Sequence, residues 1–88
     1  MAMTDTIRAR LTEALAPVHL AVQDDSHLHA GHAGARPGGE SHFTVEIVSE
    51  RFAGLNRVAR HRLVNAALAE ELKSAIHALA IRAKAPGE

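Results

Sequence analysis

Two stretches of this chain alternate apolar and polar residues, and the long segment between them has no periodicity. The first stretch covers residues 18–23, and the second begins at residue 41. Alternation with a period of two is typical of a β-strand that buries one face. The chain therefore has to join two strands through a long connection, which predicts an antiparallel hairpin. The apolar positions of the two stretches are Val18, Leu20, Val22, Phe43, Val45 and Ile47.

Helical spacing of apolar residues marks two other segments. In the first, Ile7 and Leu11 recur at helical intervals, and the predicted helix ends before Pro17. In the second, Asn56 can cap a helix that runs to about Lys73. The stripe of this second helix that we expect to face the sheet consists of Val58, His61, Val64, Leu68 and Leu72.

A third strand pattern follows the second helix, over residues 76–83. A strand, a helix and another strand form a right-handed crossover between parallel strands. We therefore predict an α/β fold of the α+β kind, with the element order αββαβ. In it, a three-stranded mixed sheet carries both helices on one face. A chain of 88 residues predicts a single domain over residues 1–88, with a flexible connection at 26–40 and a tail at 84–88.

The composition excludes several classes of function. With no cysteine, the chain can form no disulfide and offers no thiolate, so its metal ligands would have to be nitrogen or oxygen atoms. Ten acidic and ten basic residues balance, so the overall charge favours neither phosphate nor a membrane surface. No apolar run approaches the roughly 20 residues of a membrane helix, and we expect a cytoplasmic protein.

Histidine is the residue type with the clearest chemical potential. His27, His29 and His32 lie close together in a glycine-rich segment, a spacing compatible with one metal ion; the alternative is a polar, solvated loop. His77 precedes the apolar residues of the third strand, which places it at the rim of the sheet as a candidate ligand. The alternative for His77 is a half-buried imidazole bonded to the backbone. The histidines predicted to be structural or surface residues are His61, His19 and His42.

Arginines form the one basic cluster of the sequence. Arg57, Arg60 and Arg62 follow Arg51 with no acidic residue between them. They could contact phosphate, although their helical angles spread around the axis and such charge is usually a solvated helix face.

No arrangement of residues predicts catalysis. Asp25, Ser26 and His27 are adjacent, but a nucleophilic triad converges through the fold, and Ser26 has no GxSxG elbow around it. Glu70 and Glu71 are consecutive on the predicted helix, so they point in different directions and cannot act as paired acid and base. We therefore predict a binding protein and not an enzyme.

Several segments taken together resemble BolA proteins. They follow the order of that family along nearly the whole chain, and RHRLVN followed by EEL and HAL is the most specific combination. The segments are DDSHLHAGH at 24–32, SHF at 41–43, IVS…RF.G at 47–54, RHRLVN at 60–65, LAEEL at 68–72 and IHALAI at 76–81.

This resemblance implies a fold akin to class II KH domains, in agreement with the predicted element order. It also implies a complex with a monothiol glutaredoxin, bridged by a [2Fe-2S] cluster to which the glutaredoxin contributes a cysteine and glutathione. The implied roles are iron-sulfur cluster trafficking and iron regulation. By position, the BolA-side ligands are His77 and either His29 or His32. The segment is longer here than in the family and holds three histidines, so the choice between these two stays open.

Two alternatives belong to other classes of function. Some BolA-like proteins are described as transcription factors, and the KH-like face with Arg57, Arg60 and Arg62 could contact DNA. The neutral overall charge argues against strong binding of this kind. The other alternative is a zinc or nickel buffer that uses the histidines of the glycine-rich segment without any partner.

Overall fold

The computed structural model describes residues 3–25 and 42–88 of the chain. The described part contains three helices, three strands and one 3₁₀ turn. In chain order these are α1 (Met3–Leu15), β1 (His19–Asp24), β2 (His42–Val48), the 3₁₀ turn (Glu50–Phe52), α2 (Arg57–Ala67), α3 (Ala69–Ser74) and β3 (Ala78–Lys84).

The three strands form one mixed sheet in the order β1-β2-β3. β1 pairs with β2 in antiparallel fashion, with Leu20 opposite Ile47. β2 pairs with β3 in parallel, with Phe43 opposite Leu79. The predicted hairpin and the predicted parallel crossover are both confirmed, because the helices lie in the connection from β2 to β3.

The core lies between one face of the sheet and the helices. Phe43, Val45 and Ile47 of β2 point into it and are fully or almost fully buried. On the opposite face of the sheet, Glu46 and Arg82 are exposed. The sheet therefore has one covered and one open face, as predicted. The buried apolar residues of the helices and turns are Ile7, Leu11, Leu15, Phe52, Val64, Leu68, Ile76 and Ala85.

The predicted second helix is in fact two helices. The backbone leaves helical dihedral angles at Leu68, which has φ −107° and ψ 19° and separates α2 from α3. Neither glycine nor proline stands at this point, so no local signal marks the break. Leu68 is completely buried in the core.

The apolar stripe predicted for the second helix was wrong at Val58, which is 58% exposed. The buried face of α2 is centred on Val64, and six residues of α-helix place Val58 about 120° away from it around the axis. Val18 was also expected in the apolar face of β1. It lies just before that strand and is 68% exposed, although its N–H donates to the Val48 carbonyl.

Ser49 ties the end of β2 to α1 and is fully buried. Its hydroxyl donates to the Leu15 carbonyl at 2.6 Å and accepts the Arg51 backbone N–H at 3.1 Å. Its own N–H donates to the Lys84 carbonyl at 3.0 Å. One small polar side chain thus satisfies a buried backbone carbonyl of α1 and a partly buried N–H of the 3₁₀ turn.

Arg60 holds the last turn of the described chain against α2. Its guanidinium donates to the two carboxylate oxygens of Glu88 at 2.5 and 2.6 Å, and also to the carbonyls of Leu55 and Ala83. The Glu88 carboxylate accepts a further hydrogen bond from the Ala85 N–H. The hydrogen bonds from Arg60 and then from Ala85 lower the pKa of Glu88 to about 2.

Replacing Ser49 by alanine should lower the free energy of unfolding by about 1–3 kcal/mol, because the buried carbonyl of Leu15 and the partly buried N–H of Arg51 lose their partner. Urea denaturation followed by circular dichroism measures this change. The matched control is Ser74→Ala, since the Ser74 hydroxyl bonds to the Glu70 carbonyl at an exposed site. We expect the control to change stability by no more than about 0.5 kcal/mol, and an equal effect of the two variants would contradict the role given to Ser49.

The lowered pKa of Glu88 makes a pH-dependent contribution to stability. Since the folded-state pKa is depressed, the contribution is fully present above the ordinary value of 4.5 and is lost as the pH falls towards 2. Arg60→Met should return the pKa of Glu88 towards 4.5, whereas Arg62→Met, at an exposed position of the same helix, should leave it low. An NMR titration of the Glu88 carboxyl carbon measures this value. Titration of the wild-type group near 4.5 would show that the ion pair does not persist in solution.

Candidate metal centre

One end of the sheet brings together residues that are far apart in the sequence. Because β2 and β3 are parallel, both begin at this end, and His42 is opposite Ala78 in the register. β1 is antiparallel to β2 and ends here with Asp24 opposite Phe43. His77 directly precedes β3 and therefore lies at the same end.

His42 and His77 are neighbours in the folded chain. Their ring centroids are 5.3 Å apart, and the ring planes are tilted by 60°. His77 is exposed, in agreement with its predicted place at the rim of the sheet, and His42 is half-buried. The two imidazoles thus form a pair that solvent or a partner protein can reach from the side of His77.

His42 was predicted to be a surface residue, and its proximity to His77 was not predicted. The proximity of the two histidines could have been predicted from the parallel pairing of β2 with β3. Once the first residues of these strands are placed opposite each other, the histidine that starts β2 must lie beside the residue that precedes β3. Alternation within one strand carries no information of this kind.

The ends of the glycine-rich connection are fixed at this same edge. The Asp25 N–H donates to the His42 carbonyl at 2.8 Å. The Thr44 hydroxyl also donates to the Asp25 carboxylate through a short hydrogen bond. These contacts hold the last described residue before the connection against the first described residue after it, so the connection leaves and returns beside His77.

The predicted ligands in the connection, His29 and His32, lie outside the described residues, as does His27.

Within residues 3–25 and 42–88, no three or more histidine or acidic side chains are placed together as a metal site. The described part therefore offers two imidazoles and no complete coordination sphere. It also contains no helix of the length and apolarity that a membrane span requires.

The basic cluster does not form a single patch. The side chain of Arg60 is only 13% exposed, and its guanidinium is bound to Glu88, so it already has a carboxylate partner. Arg57 and Arg62 are exposed, but five residues of helix turn them about 140° apart around the axis. Only two of the three arginines that were candidates for binding phosphate are therefore exposed, and these two lie on different sides of α2.

The adjacent acidic residues of α3 have different surroundings. Glu70 is exposed, whereas Glu71 is buried and has a carboxylate oxygen 3.5 Å from Nε of Arg10 in α1. The different surroundings of Glu70 and Glu71 confirm that their carboxylates do not face a common site.

Comparison with known proteins identifies the family. The family model described as BolA-like protein matches residues 11–88. Human BolA-like protein 1 is 52% identical over 93% of this chain, which spans 57% of the length of the human protein. A Vibrio cholerae protein named DNA-binding transcriptional regulator BolA is 52% identical over 88% of this chain and 69% of its own length.

The fold agrees with the same family. The solved structure of BolA1 from Arabidopsis thaliana superposes with a TM-score of 0.86 at 42% sequence identity, covering 100% of this chain and 96% of that one. Sequence and fold thus agree over nearly the full length, and the chain belongs to the BolA family.

Proposed function

We propose that this protein binds a monothiol glutaredoxin and shares the ligation of a [2Fe-2S] cluster with it, in iron-sulfur cluster trafficking or iron regulation. The observation that carries the proposal is the position of His77. It is an exposed imidazole at the end of the sheet where the histidine-bearing connection leaves and returns. Membership of the BolA family supports the proposal further.

The donor atoms of this chain suit iron. A neutral imidazole is a good ligand for iron, and the chain has no cysteine that could compete with it. The glutaredoxin would supply its own cysteine and glutathione. When bound, the cluster supplies one-electron chemistry and exchangeable iron, and a histidine in place of a thiolate raises its potential.

The surroundings of His77 leave room for a partner. Ala78 and Ala80, the first two exposed residues of β3 after His77, have small side chains. The backbone of β3 is fixed by its parallel pairing with β2, so the imidazole is attached to a rigid element. The second ligand in this proposal is His29 or His32. The proposed activity is binding, with no chemical step catalysed on a substrate.

Replacing His77 by alanine should change the spectrum of the complex. Wild-type protein mixed with a cluster-loaded monothiol glutaredoxin should give a heterodimer with altered visible absorption and circular dichroism. The mixture that contains the His77→Ala protein should show the spectrum of the glutaredoxin homodimer, because the iron loses its imidazole ligand. The control is His19→Ala, an exposed histidine of β1 that lies 4.0 Å from the Glu46 carboxylate.

A wild-type spectrum in the His77→Ala complex would remove His77 from the cluster site. The absence of any spectral change with the wild-type protein would contradict the proposal as a whole. Separate alanine substitutions of His29 and His32 then identify the second ligand, since only one of them should repeat the effect of His77→Ala.

The second candidate function is regulation through DNA binding. Two observations favour it: the name of the Vibrio cholerae relative and the exposure of Arg57 and Arg62 on α2. Against it stand the balanced charge and the ion pair that occupies Arg60. Phosphate contacts dominate non-specific affinity for DNA, and two separated cations contribute little at physiological salt.

We therefore expect no retardation of duplex DNA by the metal-free protein in electrophoresis at about 150 mM salt. Retardation would favour the second candidate instead. In that case Arg57→Ala combined with Arg62→Ala should reduce the slope of log affinity against log salt by about 2. Glu88→Gln, which releases Arg60, should then strengthen binding if Arg60 contacts phosphate.

A further inference from the structure

The carboxylate of Glu88 occupies a site whose other members are fixed without it. We propose that Arg60 and the backbone N–H of Ala85 form a receptor for a carboxylate of another protein, an acidic side chain on an exposed peptide segment, and that Glu88 is a tethered competitor for this receptor. The receptor lies beside the last residues of β3, at the end of the sheet opposite His77. The inference therefore does not depend on the proposed function.

The guanidinium of Arg60 has anchors other than Glu88. Its Nε donates to the Leu55 carbonyl at 2.9 Å, and one terminal nitrogen donates to the Ala83 carbonyl at 3.3 Å. Leu55 precedes α2 and Ala83 belongs to β3, so two segments hold the guanidinium in place. The two terminal nitrogens donate to the two oxygens of Glu88 at 2.5 and 2.6 Å. This parallel pair of hydrogen bonds is the geometry by which arginine recognises a carboxylate.

A third donor of the receptor is the N–H of Ala85, which lies 3.2 Å from one carboxylate oxygen of Glu88. Ala85 is buried and directly follows β3, so packing and the sheet fix its backbone. The described residues provide no further donor to this carboxylate beyond Arg60 and Ala85. A phosphate group carries additional charged oxygens that would have no donor here, whereas a carboxylate is fully satisfied.

Glu88 is held less firmly than the receptor. Its side chain is 45% exposed, compared with 13% for that of Arg60. Glu88 follows Pro86 and Gly87, which are both exposed, so it can leave through rotation of a surface turn without disturbing the core. Its departure leaves a nearly buried guanidinium without a counter-ion, which is unfavourable. Exchange for another carboxylate avoids this cost.

The surroundings of the receptor are positively charged. The charge of Lys84 also lowers the pKa of Glu88, after the larger effects of the hydrogen bonds from Arg60 and Ala85. Arg57 is exposed on α2, and three residues of helix place it within about 60° of Arg60 around the axis. One tethered carboxylate therefore faces more than one cation. Such a region attracts a peptide segment with several acidic residues, one of which enters the receptor.

The test measures binding of a capped peptide with one carboxylate, acetyl-Pro-Gly-Glu-amide, to the full-length protein. NMR follows the Nε–H of Arg60 and the amide of Ala85. We expect Glu88→Ala to bind the peptide at least about tenfold more tightly than the wild-type protein, as for a receptor that Glu88 leaves open in about 10% of molecules or fewer. The same peptide with glutamine in place of glutamate should not bind.

Two further variants, both made in the Glu88→Ala protein, test the role of the guanidinium. Arg60→Lys keeps a positive charge but removes the planar group that binds two oxygens, so it should abolish the saturable shift of the Ala85 amide. Arg62→Lys is the matched control at an exposed position of α2 and should bind the peptide as tightly as Glu88→Ala. Circular dichroism establishes that each variant is folded.

Three results would overturn the inference: equal affinity of the wild-type and Glu88→Ala proteins, no saturable shift at Arg60 and Ala85 in Glu88→Ala, or equal affinity for the glutamate and glutamine peptides. Inorganic phosphate is the second probe. Tighter binding of phosphate than of the glutamate peptide would reject a carboxylate receptor and favour a site for nucleic acid. If Arg60→Lys does not fold, the comparison of the two peptides still decides the outcome.

Discussion

The central strand β2 is the element on which the rest of the described structure depends. It pairs with β1 on one side and with β3 on the other, and it contributes Phe43, Val45 and Ile47 to the core. The pleat sends alternate side chains to opposite faces, so burial of these three residues fixes the register of both neighbouring strands. That register in turn places the start of β2 beside the start of β3, where the two histidines meet.

Polar contacts fasten the ends of this sheet. At one end, the buried Ser49 hydroxyl joins β2 to α1, and Arg60 holds Glu88 against α2. At the other end, the N–H of Asp25 is bonded to the carbonyl of His42. The polar and charged groups at the first end therefore bind one another or the backbone. At the second end, the imidazoles of His42 and His77 lie side by side. Arg60, which its sequence context offered as a phosphate contact only in the alternative of DNA binding, is bound to Glu88 in the folded protein.

At the second end, the exposed imidazole of His77, which directly precedes β3, has its ring centroid 5.3 Å from that of the half-buried His42. The proposed shared ligation depends on this exposure, because a ligand to a cluster carried by another protein has to be accessible to that protein. The sequence contains no cysteine, so in that proposal the thiolate ligands come from the partner.

Local patterns in the sequence determined the αββαβ order, the buried face of β2 and the position of His77 at the rim, because helix and strand periodicities depend on residues only a few positions apart. The family was also recognisable from short motifs in order. Tertiary structure decided the break at Leu68, the exposure of Val58 and the occupation of Arg60 by Glu88. It also placed the imidazole of His42 next to that of His77. These features arise from contacts between segments that are distant in the sequence. Strand register and core packing decide which of those segments come into contact, and local periodicity carries no information about either.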